Sequence, residues 1–258
     1  MTQVGVQPGR WARLHTKFVV EERYITPAAR TRLYSTALIL VVVGLSAFII
    51  LLVGVTTHTG FERLDQPVES WFDAQRSADA TTLMIVLAII FGPIAMPIIV
   101  LIVTVTWAIA AKHVWRPFLL AVGMATGVIL AQVLAPIVRH PRPPIDLMLF
   151  GQDKSFSFPS GHVLGASDFL LILAFLIASR RQRPAFTVTA FVAAVLGILL
   201  QVASRLYLGY HWISDTAASI ALSMVIVGAI IAIDTRRTAR IRGERIEGDH
   251  SQLQVDGS

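Results

Sequence analysis

An all-α membrane bundle of six transmembrane helices is the fold class that three features of this 258-residue chain predict. Its apolar content is 55%, its mean hydropathy is +0.67, and long uncharged runs alternate with short polar turns. Charged residues make up 15% of the chain, well under the roughly 25% of an ordinary soluble domain. A hydrocarbon core ~30 Å thick takes about 20 apolar residues per helix, so this length holds about six spans with short connections. The chain has no cysteine, which excludes disulfides, thiol nucleophiles and thiolate metal sites. A formal charge of +6 is compatible with nucleic-acid binding until the location of the basic residues is considered.

Residues 1–34 are mixed and basic, with Arg10, Arg13, Lys17, Arg23, Arg30 and Arg32, and have no short apolar core of a cleavable signal. They read as a cytoplasmic lead-in that Trp11, Leu14, Phe18 and Val19 could rest on the membrane. Ser35 to Val55 is nearly continuous Leu, Ile, Val and Ala, the first span. Over 56–80, Phe61, Leu64, Val68 and Trp71 recur at helical spacing among acidic residues, which predicts an amphipathic interfacial helix. Thr81 to Ala111 is too long for one upright span and too short for two. With Gly92-Pro93 and Pro97 inside it, it reads as one tilted, kinked helix. Lys112, His113 and Arg116 mark a turn before the third span, Pro117 to Val138. A polar loop, Arg139 to Phe158, precedes a fourth span that opens at Pro159-Ser160-Gly161-His162. The fifth runs from about Ala185 to Ala203 and the sixth from about Trp212 to Ile233. The charged remainder is expected to be disordered, so the chain divides into 1–34, 35–233 and 234–258.

This topology places 16 of the 22 Lys and Arg residues on one side and leaves Arg63, Arg76, Arg139, Arg142, Lys154 and Arg205 on the other. That asymmetry is what the positive-inside rule expects, with both termini cytoplasmic. The basic surplus is therefore a topology signal, and nucleic acid drops out as a partner.

The polar residues on the outer side carry the chemistry. In Ser204 to Asp215 an Arg is followed six residues later by a His and four residues after that by an Asp. If His211 opens a helix, Asp215 lies one turn on, where a carboxylate can hold the imidazole in one tautomer. A competing reading makes Tyr207, Tyr210 and Trp212 an interfacial belt beside a snorkelling Arg205. Arg142, His162 and Arg205 also lie at outer helix ends, so these groups can converge with His211 on one pocket. Two arginines beside two histidines suit a multiply charged anion, and phosphate matches the guanidinium fork.

Arg142-Pro143, Pro159-Ser160-Gly161-His162, and Ser204-Arg205 followed by His211 and Asp215 together resemble the three-part signature of the type 2 phosphatidic acid phosphatase superfamily. The likeness is to its bacterial six-helix membrane branch and covers about residues 35–233. It implies removal of phosphate from lipid phosphates or pyrophosphates through a phosphohistidine, with no metal or other cofactor. By that resemblance His211 is the nucleophile and Asp215 its orienting partner, while His162 is the general acid and later the base that activates water. Arg142 and Arg205 would clamp phosphoryl oxygens; Ser160 would add a hydroxyl and Gly161 a backbone N–H at a helix N-terminus. One position departs from the signature: Ala135 stands where the family has a Lys, seven residues before Arg142. Arg139 or Lys154 could supply that cation.

Other polar residues receive plainer readings. His113 and His140 are expected to be loop or interface residues, and Asp168 to face the bundle interior or be protonated. Gln132 and Gln201 are expected to bond between helices, Gln201 one turn below Arg205. A metal site is not expected, because no second carboxylate accompanies Asp215. The expected substrates are a polyprenyl pyrophosphate, phosphatidylglycerol phosphate or phosphatidate, met at the outer face of a cell membrane. A phosphotransferase using the same histidine, and a transporter that uses the arginines only to bind, are the alternatives.

Overall fold

The computed structural model describes residues 17–181, 183–246 and 251–254. Among these are eight α-helices and three short strands: β1 (Val20–Tyr24), α1 (Pro27–Thr57), α2 (Asp65–Ala74), α3 (Ala78–Ile90), α4 (Ala95–Ala110), α5 (Trp115–Val138), α6 (Gly161–Arg181), α7 (Pro184–Tyr207), α8 (Ile213–Thr238), β2 (Ala239–Arg240) and β3 (Ser251–Leu253). Five helices, α1 and α5 to α8, are long and apolar enough to cross a bilayer by themselves. The pair α3 and α4, bent by 51° at residues 91–94, is together apolar enough to be a sixth, broken crossing. Gly92-Pro93 supplies that break, because proline withholds an N–H and clashes with the preceding turn.

Helices α6 and α8 are the most buried of the crossings and form the centre of the bundle. Helix α1 lies along α8 at unusually close range: a Cβ added at Gly44 would sit 2.6 Å from the Ala221 carbonyl oxygen, and one at Gly228 would sit 2.8 Å from that of Ala37. Small residues permit that approach, and backbone packing rather than hydrophobic transfer holds such helices together in lipid. The outward faces of α1 and α7 expose rows of Leu, Ile and Val, including Ile39, Val43, Ile50, Val188, Val192 and Leu199. Such faces suit a hydrocarbon solvent.

At the end of the bundle away from the His211 segment, β1 pairs in parallel with both β2 and β3, giving the order β2-β1-β3. Here the structure departs from the disordered tail that composition suggests, because residues 239–240 and 251–253 are paired strands. The cause is electrostatic: Glu22 of β1 is fully buried and is met by Arg240 at 2.7 Å and Arg237 at 3.1 Å. A buried carboxylate needs such partners. His113, expected at a loop surface, is buried beside Glu21 at 3.3 Å. The part of residues 1–34 before Lys17, with Trp11 and Leu14, lies outside the described residues.

Asp168 faces the interior, fully buried in α6 against Gly127 of α5. The two glutamines differ from expectation. Gln132 is exposed, within two turns of the polar end of α5. Gln201 is buried, yet neither amide atom has a hydrogen-bond partner among the described residues.

Candidate active site

The loop between α7 and α8, the start of α6 and the loop after α5 meet at one end of the bundle. Helix α7 ends at Tyr207, and Leu208 to Trp212 turn the chain before α8 begins at Ile213. His211 therefore precedes the helix rather than opening it. Asp215 sits in the first turn of α8, where its Oδ2 accepts the Trp212 N–H at 2.8 Å. The carboxylate thus caps the helix that it was expected to share with His211.

His211 is buried, and its Nδ1 faces the Ser157 carbonyl oxygen at 2.9 Å. Donation there assigns the proton to Nδ1 and leaves Nε2 as an acceptor, which takes an N–H of Arg142 Nη1 at 3.2 Å. Asp215 Oδ2 lies 3.6 Å from Nδ1, close enough to compensate charge but beyond hydrogen-bond range. Ser157 stands between them: its hydroxyl donates to Asp215 Oδ2 at 2.5 Å and lies 3.3 Å from His211 Nδ1. Burial pulls the His211 imidazole down to about 4, against the nearby Asp215 carboxylate and with the help of the Arg142 and Arg205 charges. A neutral ring is the state a nucleophile needs.

The two arginines differ in what holds them. Arg142 donates through Nη1 to the Tyr210 carbonyl at 2.6 Å and through Nε to that of Ser155 at 3.2 Å. Its Nη2 reaches Ser155 Oγ at 2.9 Å and Asp153 Oδ2 at 2.8 Å. Arg205 is buried at the end of α7, its guanidinium 4.4 Å from the centre of the Tyr210 ring, and its Nε has no protein partner among the described residues. A buried donor without a partner calls for an acceptor. The two guanidinium groups feel each other's charge, and His162 feels both of them and His211. Four of the residues singled out from sequence therefore share one electrostatic environment.

Ser160 is buried immediately before α6, and its carbonyl accepts the N–H of Leu164 at 2.9 Å and the Ser219 hydroxyl at 3.0 Å. Gly161, the first residue of α6, is exposed, and a Cβ there would meet nothing within 4 Å. Open space thus lies over a helix N-terminus, a natural anion position. The two candidates for the cation missing at Ala135 are not drawn in. Arg139, with φ of 56°, folds its Nε back onto the Pro136 carbonyl at 2.9 Å and is exposed, and Lys154 is exposed on its loop.

Sequence reasoning missed three contributors. His140, read as a loop residue, is buried with Nδ1 at 2.8 Å from Asp215 Oδ1. Asp65, from the start of α2, accepts the Ser214 N–H at 2.9 Å and its hydroxyl at 2.6 Å, so it secures the first turn of α8. Ser157 lies within the polar loop Arg139 to Phe158, where the sequence singles out only Arg142, Arg139 and Lys154 for the site. Their partners are 75, 149 and 58 residues away, and no local spacing encodes such pairs. Among the described residues, Glu62, Asp65 and His140 present ligand-type atoms within 4.8 Å of one another. Asp65 and His140 already have the protein partners named above.

Comparison with known proteins follows the same outline. Residues 116–239 match the family model described as PAP2 superfamily. The chain is 24% identical over 131 residues to phosphatidylglycerophosphatase B of Bacillus subtilis, an alignment that takes in 48% of this chain and 61% of that relative. Its fold is similar to the crystal structure of a transmembrane PAP2-type phosphatidylglycerolphosphate phosphatase from Bacillus subtilis. The TM-score is 0.67 at 19% identity, covering 75% of this chain and 96% of the other.

Proposed function

We propose, from the match of residues 116–239 to the PAP2 superfamily model, that the protein is a membrane phosphatase that removes phosphate from a lipid phosphate through a phosphohistidine, without a metal. The observation that carries this reading is the environment of His211. A carbonyl takes its Nδ1–H, and its Nε2 lies 3.2 Å from a guanidinium nitrogen. A nucleophilic nitrogen beside a phosphate-binding cation is the geometry that phosphoryl transfer requires, since positioning and electrostatics supply most of its catalysis.

In this mechanism Arg142 and Arg205 hold the phosphoryl oxygens, with Ser160 and the Gly161 N–H at the α6 N-terminus. His211 Nε2 forms the N–P bond as the bond to the lipid oxygen breaks, and His162 gives its proton to that oxygen. Water then attacks phosphorus, His162 takes its proton, and the N–P bond breaks. The substrate is a lipid phosphomonoester or pyrophosphate, and the Bacillus relatives' names favour phosphatidylglycerol phosphate within that class. We place the site at the outer leaflet and β1 with the tail in the cytoplasm, following the 16 of 22 basic residues. The exposed Trp71 of α2 fits a headgroup anchor beside it.

The test uses full-length protein in detergent with a chelator and a panel of phosphatidylglycerol phosphate, phosphatidate and a polyprenyl pyrophosphate. Phosphate release that disappears in His211→Ala, with a labelled phosphoenzyme trapped on the wild type alone, is the expected outcome. Binding of those lipids without His211-dependent release would favour transport and refute the enzyme.

A further inference from the structure

We infer that His140 is a positioning residue for this chemistry: it holds the Asp215 carboxylate in the one orientation that serves His211. The inference rests on the phosphatase reading and adds to it a residue that is not one of the signature positions.

Every lone pair that matters on Asp215 is spoken for. Oδ1 takes the His140 Nδ1–H at 2.8 Å, while Oδ2 takes the Ser157 hydroxyl at 2.5 Å and the Trp212 N–H at 2.8 Å. Because His140 occupies Oδ1, the other oxygen is turned toward Ser157 and His211. The same residues are joined a second time through the backbone. Ser157 donates its N–H to the His140 carbonyl at 2.8 Å, and its own carbonyl accepts from His211 Nδ1. His140 thus reaches the nucleophile along two routes, one through a side chain and one through the chain itself.

The ring has little room to leave. Its centroid is 6.5 Å from that of Trp212, whose indole N–H bonds the neighbouring Pro141 carbonyl at 2.7 Å. The charged groups that face it come from several elements: Asp215 on α8, Asp65 on α2, and Glu62 in the turn before α2. Burial alone lowers its proton affinity, but the Asp215 bond and these three carboxylates outweigh burial and raise it above the ordinary histidine value. The surrounding carboxylates therefore favour the protonated ring.

The chemistry says when this matters. As the N–P bond forms, His211 keeps its Nδ1–H and the ring acquires a positive charge, which Asp215 must balance. Without His140, Oδ1 loses its donor and the carboxylate is free to turn or to take a proton. The cost then falls on the step that charges His211. Substrate binding belongs to Arg142 and Arg205 and is spared.

The experiment compares full-length His140→Ala and His140→Asn with wild type in detergent, on whichever lipid phosphate the wild type hydrolyses. His140→Ala should lower kcat roughly 10- to 100-fold, the usual cost of removing a residue that orients a functional group, with KM nearly unchanged. His140→Asn, whose amide N–H can reach the position of Nδ1, should restore most of kcat. Wild-type kcat in His140→Ala, an Asn variant no better than Ala, or a loss confined to KM would overturn the inference. A second readout needs no turnover: NMR of protein with 15N-labelled histidine, in which Asp215→Asn should move the His140 titration downward. An unchanged titration overturns the inference whatever the protein hydrolyses. A shifted titration in a protein that releases phosphate from no lipid refutes the proposed function and leaves the His140–Asp215 pair standing.

Discussion

A methyl group added at Gly161 should make the protein more stable and less active at once. Gly161 is the first residue of α6, and a Cβ built there meets no atom within 4 Å, so Gly161→Ala creates no clash. Replacing glycine by alanine at an unstrained helical position stabilises by up to ~0.5–1 kcal/mol, through the entropy of the unfolded chain. For a chain of this size that is an increase in Tm of roughly 1–4 °C. In the proposed mechanism the same open space is where the phosphoryl oxygens approach the helix N-terminus. Losing one charge-assisted hydrogen bond costs about 1.5–3 kcal/mol, which corresponds to a fall of roughly 10- to 150-fold in kcat/KM. Thermal unfolding followed by tryptophan fluorescence in detergent gives the first quantity, and phosphate release from a lipid phosphate gives the second. Activity within twofold of wild type would refute the phosphate cradle at Gly161. A fall in both quantities would show that Gly161 is needed for packing.

Further outcomes follow from the same geometry. Since burial holds His211 near 4 and the proposed mechanism needs its neutral ring, kcat/KM, corrected for substrate ionisation, should fall as pH drops through about 4; an acid limb at the ordinary histidine value would contradict the burial argument. Gly209→Ala should lower Tm more than Gly151→Ala. Both have positive φ, +75° and +86°, each costing ~1–2 kcal/mol for a residue with a Cβ, but only at Gly209 would that Cβ lie 2.4 Å from a backbone oxygen, that of Leu147. Equal Tm values would sink that distinction. Asp153→Asn should lower KM about two- to fivefold, the worth of a partly exposed ion pair, because substrate phosphate no longer competes with Asp153 for Arg142. A higher KM would mean that Asp153 holds Arg142 in its working position.

The spans were legible because the bilayer demands long apolar runs, and the Gly92-Pro93 bend because those residues leave few alternatives to a break. Arg142, His162, Arg205 and His211 were legible because each follows or opens an apolar run, where an ionisable group has no packing role. The Asp215 geometry was only half legible. Its i+4 spacing from His211 is present, but the helix starts at Ile213, so Trp212 and Ser157 take the oxygen that spacing assigned to the imidazole. His140 was hidden because a single histidine in a proline-rich loop carries no periodicity, and its partner is 75 residues on. The terminal sheet was hidden for a different reason: β2 is two residues long, and β1 is built around Glu21 and Glu22. Composition reads such strands as solvated segments until their arginine partners arrive from elsewhere in the chain.

That sheet sets an order of events. Strand β1 leaves the ribosome before the described crossings, yet both strands that pair with it follow α8. At 5–20 residues per second the interval from Tyr24 to Ala239 is about 10–40 s. Throughout it Glu22 has neither Arg237 nor Arg240 beside it. The three strands can therefore close only once α8 has been threaded and its far end returned to the side where β1 waits. The small sheet thereby ties the segment before α1 to the segment after α8, and it can do so only when both lie on one side of the bundle.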